Sequence, residues 1–300
     1  MNSEFLLYFC SSKKNRIMKL YKIETGNLKL DGGAMFGVVP KVIWQKIYPA
    51  DENNLSNWAM RCLLIETEER KILIDTGMGN KQDAKFFSHY YPNGSETLGS
   101  SLKKNGFDFE DITDVIITHL HFDHVGGAVK KTETGEFVPA FPNAKYHISK
   151  EHWDLANNPN HREKASFLKE NFVAIKEHKQ LNLIEKEGEL YKNINLKIFN
   201  GHTKGQIIPY INYKGKTIAY CGDLFPAVAH LPMPFIMGYD TQPLITLEDK
   251  ERFFKDAVNE NFVLFFEHDI YNECCNLIKT EKGVRAKETF TLEEFIKSVE

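Results

Sequence analysis

The sequence predicts an α/β fold whose strands deliver polar side chains to one sheet edge. Three observations predict it. Short runs rich in β-branched residues alternate with segments of helical spacing along the 300-residue chain. Histidines and aspartates recur just past the ends of those runs, in both halves. One such place, Thr118-His119-Leu120-His121-Phe122-Asp123-His124-Val125-Gly126-Gly127, groups three histidines and an aspartate directly after the apolar run 112–117.

Taken in order, residues 19–23 alternate polar and apolar, as a half-buried strand does. Residues 30–40 carry Gly32, Gly33, Gly37 and Pro40, which exclude a long regular element. This loop, continuing through Trp44 and Tyr48, reads equally as a pocket wall, a partner surface or plain packing. Residues 58–66 and 71–74 are two strands joined at Glu68-Glu69-Arg70. The second runs into Asp75-Thr76-Gly77, which suits Asp75 to hydrogen bonding behind a metal site. Helical spacing covers 96–106, with Gly106 as its stop.

Alternate side chains of a strand-like segment share a face, so His119 and His121 point together towards one ion. Asp123 and His124, past the strand end, turn towards a second. Gly126 and Gly127 let the backbone bend tightly around them. Residues 128–145 form a hairpin or surface loop and 145–148 a strand; Ser149 then caps a helix, and another lies within 161–178. His147, His152, His161 and His178 lack ligand spacing and read as structural or solvated.

In the second half, strand 194–199 ends at Asn200-Gly201-His202-Thr203. Strands 206–213 and 216–221 form a hairpin about Lys214-Gly215 and end at Gly222-Asp223. Segment 226–243 holds Pro226, Pro232, Pro234 and Pro243, so it is stiff, irregular and apolar, and should overhang the site. Thr246-Leu247-Glu248-Asp249 has the capping-box pattern of a helix reaching Val258. Strand 262–266 ends at Glu267-His268-Asp269, and Thr291-Leu292-Glu293-Glu294 opens a final helix.

Composition narrows the function classes. The net charge of -3 and the absence of any long basic run speak against nucleic acid as a partner. The five cysteines form no C-x-x-C pair, so a reducing, cytoplasmic setting is the simpler expectation. Cys221 lies in an apolar run and reads as a buried free thiol. No apolar run approaches the ~20 residues of a membrane helix, and no membrane partner is expected. Residues 1–17 read as an N-terminal extension, leaving 18–300 as a single domain.

The ligand candidates are His119, His121, Asp123, His124, His202, Asp223 and His268. His119, His121 and His202 suit one divalent ion, and Asp123, His124 and His268 a second, with Asp223 bridging. Imidazole and carboxylate without thiolate favour Zn²⁺, and also suit Mn²⁺, Fe²⁺ or Co²⁺. Two such ions about 3.5–4 Å apart activate a bridging hydroxide, which points to metal-assisted hydrolysis. Asp123 and Asp223 are the expected catalytic carboxylates.

The run His-Leu-His-Phe-Asp-His-Val-Gly-Gly resembles the metallo-β-lactamase superfamily, as do Ile74-Asp75-Thr76-Gly77, Gly201-His202-Thr203 and Gly222-Asp223. That resemblance implies a four-layered αβ/βα sandwich of two packed mixed sheets with outer helices, and supports the seven ligands. Residues 33–41 and 230–240 are further similar to quorum-quenching N-acyl homoserine lactone lactonases. The implied substrate is a small-molecule lactone, with phosphotriesters, thioesters or a non-catalytic metal-binding module as alternatives. Met35, Phe36, Phe225, His230, Phe235, Met237 and Tyr239 are the expected substrate-binding residues. Some lactonases carry a tyrosine three positions after the bridging aspartate. Pro226 stands there, so Tyr239 or His230 would have to replace it, unless both are simply pocket wall. A homodimer through 31–58 follows from the same resemblance.

Overall fold

Side-chain alternation decides where the core lies. The structure, a computed structural model, describes residues 18–300, and the expected extension lies outside the described residues. The first half lays down β1 (Lys19–Asp31), β2 (Leu55–Glu66), β3 (Lys71–Ile74) and β4 (Asp114–Ile116). A separate hairpin, β5 (Val129–Lys131) and β6 (Phe137–Pro139), precedes β7 (Lys145–Ser149) and β8 (Leu181–Ile184). The second half adds β9 (Gly188–Tyr191), β10 (Ile194–Phe199), β11 (Gln206–Tyr213) and β12 (Lys216–Tyr220). It closes with β13 (Val263–Phe265), β14 (Cys274–Thr280) and β15 (Gly283–Phe290).

One sheet runs β1-β2-β3-β4-β7-β8 and the other β15-β14-β13-β12-β11-β10-β9. Both are mixed: β3, β4, β7 and β8 pair in parallel, as do β12 and β13, and the other pairs are antiparallel. Leu63, Ile65, Ile72, Ile74 and Ile116 of the first sheet meet Ile207, Ile211, Ile218, Tyr220 and Phe265 of the second in one buried layer. Their strand neighbours Leu64, Leu73, Val115 and Ile117 face outward onto Leu102, Trp153 and Ile175, which belong to outer helices. On the far side Ile208, Tyr210, Ala219 and Leu264 meet Phe253, Phe254 and Ala257 of the helix Pro243–Asn259. This period-two partition yields the four-layered αβ/βα sandwich.

Local chemistry differs from expectation in places. The helix Pro243–Asn259 starts three residues before Thr246, because Pro243 occupies its first turn, where proline's missing N–H costs nothing. Thr246 therefore lies inside the helix, and Asp249 instead accepts the N–H groups of Asn200 (2.7 Å) and Gly201 (2.8 Å). Within 161–178 there is a 3₁₀ turn at Lys169–Asn171 and a one-turn helix at Val173–Glu177, separated by Phe172 at φ -143°. Gly126 has an ordinary helical φ of -59°. A Cβ there would lie 1.9 Å from the Met78 carbonyl oxygen, so close approach of two chains, not backbone freedom, requires glycine.

Candidate metal centre

β10, β12 and β13 run in one direction, as do β3, β4 and β7, and the two sets end at the same edge of the sandwich. Beyond β4 come His119, His121, Asp123 and His124; beyond β10, His202; beyond β12, Asp223; beyond β13, His268. All seven are buried. His119, His121, His202 and Asp223 converge so that one ligand atom of each lies within 4.8 Å of the others, as do those of Asp123, His124 and His268.

Asp223 faces both groups with different oxygens. Its Oδ2 lies 3.2 Å from His202 Nε2 and 3.8 Å from His119 Nε2. Its Oδ1 lies 3.1 Å from His268 Nε2 and 3.5 Å from His124 Nε2. Asp123 Oδ2 closes the second group, 3.8 Å from both His124 Nε2 and His268 Nε2.

The outward ring nitrogens fix the tautomers. His202 Nδ1 donates to Asp240 Oδ1 (2.9 Å) and His268 Nδ1 to the Ala59 carbonyl (2.7 Å). His124 Nδ1 lies 3.2 Å from Asp75 Oδ2 and 3.0 Å from Glu267 Oε2. His119 Nδ1 donates to Thr118 Oγ1 (3.1 Å), whose own proton goes to Asp75 Oδ2 (2.6 Å). With one proton held outside, the inner nitrogen of each ring faces the group. Against the effect of burial, Asp223 and the acids beside it push His124, His202 and His268 (to about 9) above the ordinary histidine range, and a bound cation would take the place of the inner proton. His121 is reversed: Nδ1 faces inward, 3.1 Å from His202 Nε2, and Nε2 faces Glu163 Oε1 at 4.0 Å.

These residues fit a bound cation. Burial pushes His119 and His121 well below the ordinary histidine range, so both are neutral. Burial works against charge on Asp223, but His124, His202 and His268 outweigh it and hold the carboxyl well below its usual range. The buried atoms His119 Nε2 and Asp223 Oδ1 have no hydrogen-bond partner, although both face the group. Asp75, Asp123, Asp223 and Glu267 are buried together, an arrangement that is costly without compensating positive charge.

The apolar surroundings combine both expected loops. Met35, Phe36, Met237 and, at their margin, Phe235 cluster with Trp44, Tyr48, Trp58 and Phe122. Phe36 stacks on Trp44 and on His230. The His230 ring is consumed by this packing, with Nε2 donating to the Met35 carbonyl at 2.8 Å. Tyr239 is 41% exposed and lies within electrostatic reach of Tyr90 and Asp123. Among the expected substrate-binding residues, Phe225 is fully buried against Phe253 and Phe254 and Phe36 in its aromatic stack, Met35, His230 and Met237 are nearly as buried, and Phe235 and Tyr239 keep exposed surface. Phe36 and Phe225 support the wall from behind.

Sequence reasoning missed several supporting groups. The helix Ala84–Tyr90, capped by Asp83, lays Phe86 and Tyr90 against Phe122 beside Asp123. Glu163, Glu267 and Asp240 stand behind ligand histidines. His152, read as structural or solvated, is buried and accepts the Leu120 N–H at 2.7 Å, bracing the chain between His119 and His121. A local signal existed only for Glu267 and Asp240, which adjoin motifs.

Fold and site together define a metal-dependent hydrolase. The chain belongs to the metallo-beta-lactamase superfamily, whose family model matches residues 61–268. A probable metal-dependent hydrolase from Staphylococcus aureus has the same fold with a TM-score of 0.84 at 29% identity, covering 92% of this chain and 97% of its own. The N-acyl homoserine lactonase AiiA of Bacillus thuringiensis subsp. kurstaki is 27% identical over 274 residues, 86% of this chain and 95% of that protein. The dizinc quorum-quenching lactonase AidC shares the fold with a TM-score of 0.76 at 23% identity, covering 91% of this chain and 95% of its own. No described helix is long and apolar enough to cross a membrane.

Proposed function

We propose that this protein opens the ring of N-acyl homoserine lactones at a two-metal centre. The observation that carries the reading is Asp223, which turns one oxygen to each ligand group beneath an apolar wall. His119, His121 and His202 would hold one ion, Asp123, His124 and His268 the other, with Asp223 shared; Zn²⁺ suits the imidazole-rich set. When bound, such a pair supplies an activated water and polarises the attacked carbonyl.

The chain's own residues do the rest. Asp223, shared between the two groups, would orient the attacking water, and the ring oxygen would take its proton from water or from Asp223 as the ester bond breaks. Half-buried Phe235 would meet the acyl chain, and Met35 and Met237, nearly fully buried in the same cluster, would back it and exclude water, as mostly apolar pockets do. Tyr239, within electrostatic reach of Tyr90, Asp31 and Asp123, suits the role of the missing tyrosine better than His230, whose Nε2 is already engaged. The lactonase relatives support the substrate class. The side chains of Val38, Val42, Ile43 and Ile47, exposed by 95, 64, 50 and 49%, support self-association through the 31–58 segment.

The test is a pH-based hydrolysis panel of homoserine lactones of graded acyl length, with phosphotriester and thioester arms and metal content measured on the same sample. Lactone turnover that rises with acyl length supports the reading. Turnover confined to another arm, or full metal with none at all, overturns it.

A further inference from the structure

A buried ammonium holds the overhanging loop in place. Lys250 lies on the inward face of the helix Pro243–Asn259, in line with Thr246, Phe253, Phe254 and Ala257, and only 1% of it is exposed. Its Nζ reaches four carbonyl oxygens of a single loop: His230 at 2.7 Å, Pro232 at 2.8 Å, Phe235 at 3.2 Å and Met233 at 3.5 Å. The same ammonium lies 5.4 Å from the Phe225 ring centroid. Prolines at 232 and 234 lack N–H groups, and the loop's own backbone bonds are confined to short turns, Phe235 N–H to the Pro232 carbonyl (3.0 Å) and Ile236 N–H to the Pro234 carbonyl (3.1 Å). Lys250 ties these turns together from outside.

The loop so gathered carries the rest of the wall. His230 Nε2 donates to the Met35 carbonyl at 2.8 Å, and Gly238 N–H to the Ala34 carbonyl at 2.7 Å. A Cβ on Gly37 would lie 2.5 Å from the Ile236 carbonyl oxygen, so the two loops run in direct contact. One cation thereby fixes the 230–235 backbone, Phe235 with it, and Met35 through His230.

We propose that Lys250 is a positioning residue for substrate: without touching the ligand, it sets the acyl-chain wall by fixing the 230–235 loop, and so governs KM and chain-length discrimination. The substrate part rests on the lactonase reading above; the loop part does not. Burial pushes the Lys250 amine down to about 7, and the carbonyl oxygens that accept its three N–H groups replace part of the lost solvation. An apolar residue in its place would leave those oxygens to find water or other donors, and the loop would be ordered only on binding.

The experiment compares metal-loaded wild type with Lys250→Met, and with Lys250→Gln, which keeps two N–H donors, should the first misfold. Hydrogen–deuterium exchange of peptides spanning 228–240 is measured alongside metal content and lactone kinetics. With metal content unchanged, exchange in 228–240 should quicken, KM for long-chain lactones should rise about tenfold, and kcat should move far less. Long-chain over short-chain preference should shrink by a similar factor. Unchanged exchange in 228–240 overturns the proposal whatever the substrate proves to be. Quickened exchange with equal losses in kcat for every chain length also overturns it, since that marks general destabilisation. If wild type opens no lactone, the proposed function and the chain-length role both fall, and exchange alone decides whether Lys250 fixes the loop.

Discussion

His121 Nδ1 and His202 Nε2 stand 3.1 Å apart across 81 residues of sequence. One ring follows the first sheet, the other the second; a carboxylate hydrogen-bonds the second from outside, and another faces the first at 4.0 Å without a hydrogen bond. Asp240 receives the His202 Nδ1 proton, and Glu163 lies opposite His121 Nε2, where Thr203 Oγ1 (2.5 Å) and Asn160 Nδ2 (2.6 Å) hold it. Removing the outer group frees the ring to rotate and weakens its lone pair. Asp240→Ala should lower metal affinity or turnover by about 10–100-fold while the fold persists, and Glu163→Ala, which removes no hydrogen bond to the ring, by less. Chelator competition and kinetics check this; wild-type affinity in both variants would show that the outer carboxylates do not set ligand geometry.

Asp223 touches both ligand groups, so its loss should disable both. Asp223→Ala should retain at most about one of two metal equivalents and lose lactone turnover. Metal analysis by mass spectrometry and the pH-based assay read the two effects. Turnover close to wild type would mean that a shared carboxylate is not required.

Phe225 and Phe235 follow each other closely in the chain's second half but belong to different layers. Phe225→Ala opens a cavity against Phe253 and Phe254 and should cost about 3–5 kcal/mol of stability. Phe235, half-buried at the edge of the apolar cluster, should cost less stability when replaced by alanine and more in KM. Denaturation curves and kinetics on both variants separate packing from binding.

Burial pushes His230 down to about 3, far from the value near 6.5 that it has in the unfolded chain. Between those values the unfolded chain binds the proton and the folded one does not. Stability therefore falls as pH drops below about 6.5, by roughly 2 kcal/mol at pH 5 from this residue alone. Burial of His152, pushed down to about 4, acts in the same direction. His230→Gln should flatten the slope of stability between pH 6.5 and 5 relative to wild type. An unchanged slope would mean that His230 is already charged in the folded state.

What the sequence determined by itself was the set of inner groups. His119, His121, Asp123, His124, His202, Asp223 and His268 are legible because each follows an apolar β-branched run, and where a strand ends is a local property. The same locality made β2, β3 and β10 through β13 readable, whereas β8, β9, β14 and β15 carry exposed polar faces that leave weak patterns. Tertiary structure alone decided which residues stand behind the ligands. Glu163 meets His121 across 42 residues, Lys250 meets the 230–235 carbonyls from the opposite side of a helix, and the ring of Phe225 turns into the core instead of the pocket. The physical reason is that ligand chemistry is written in residue type and spacing. Orientation depends on hydrogen bonds and packing between distant segments, which no local pattern encodes.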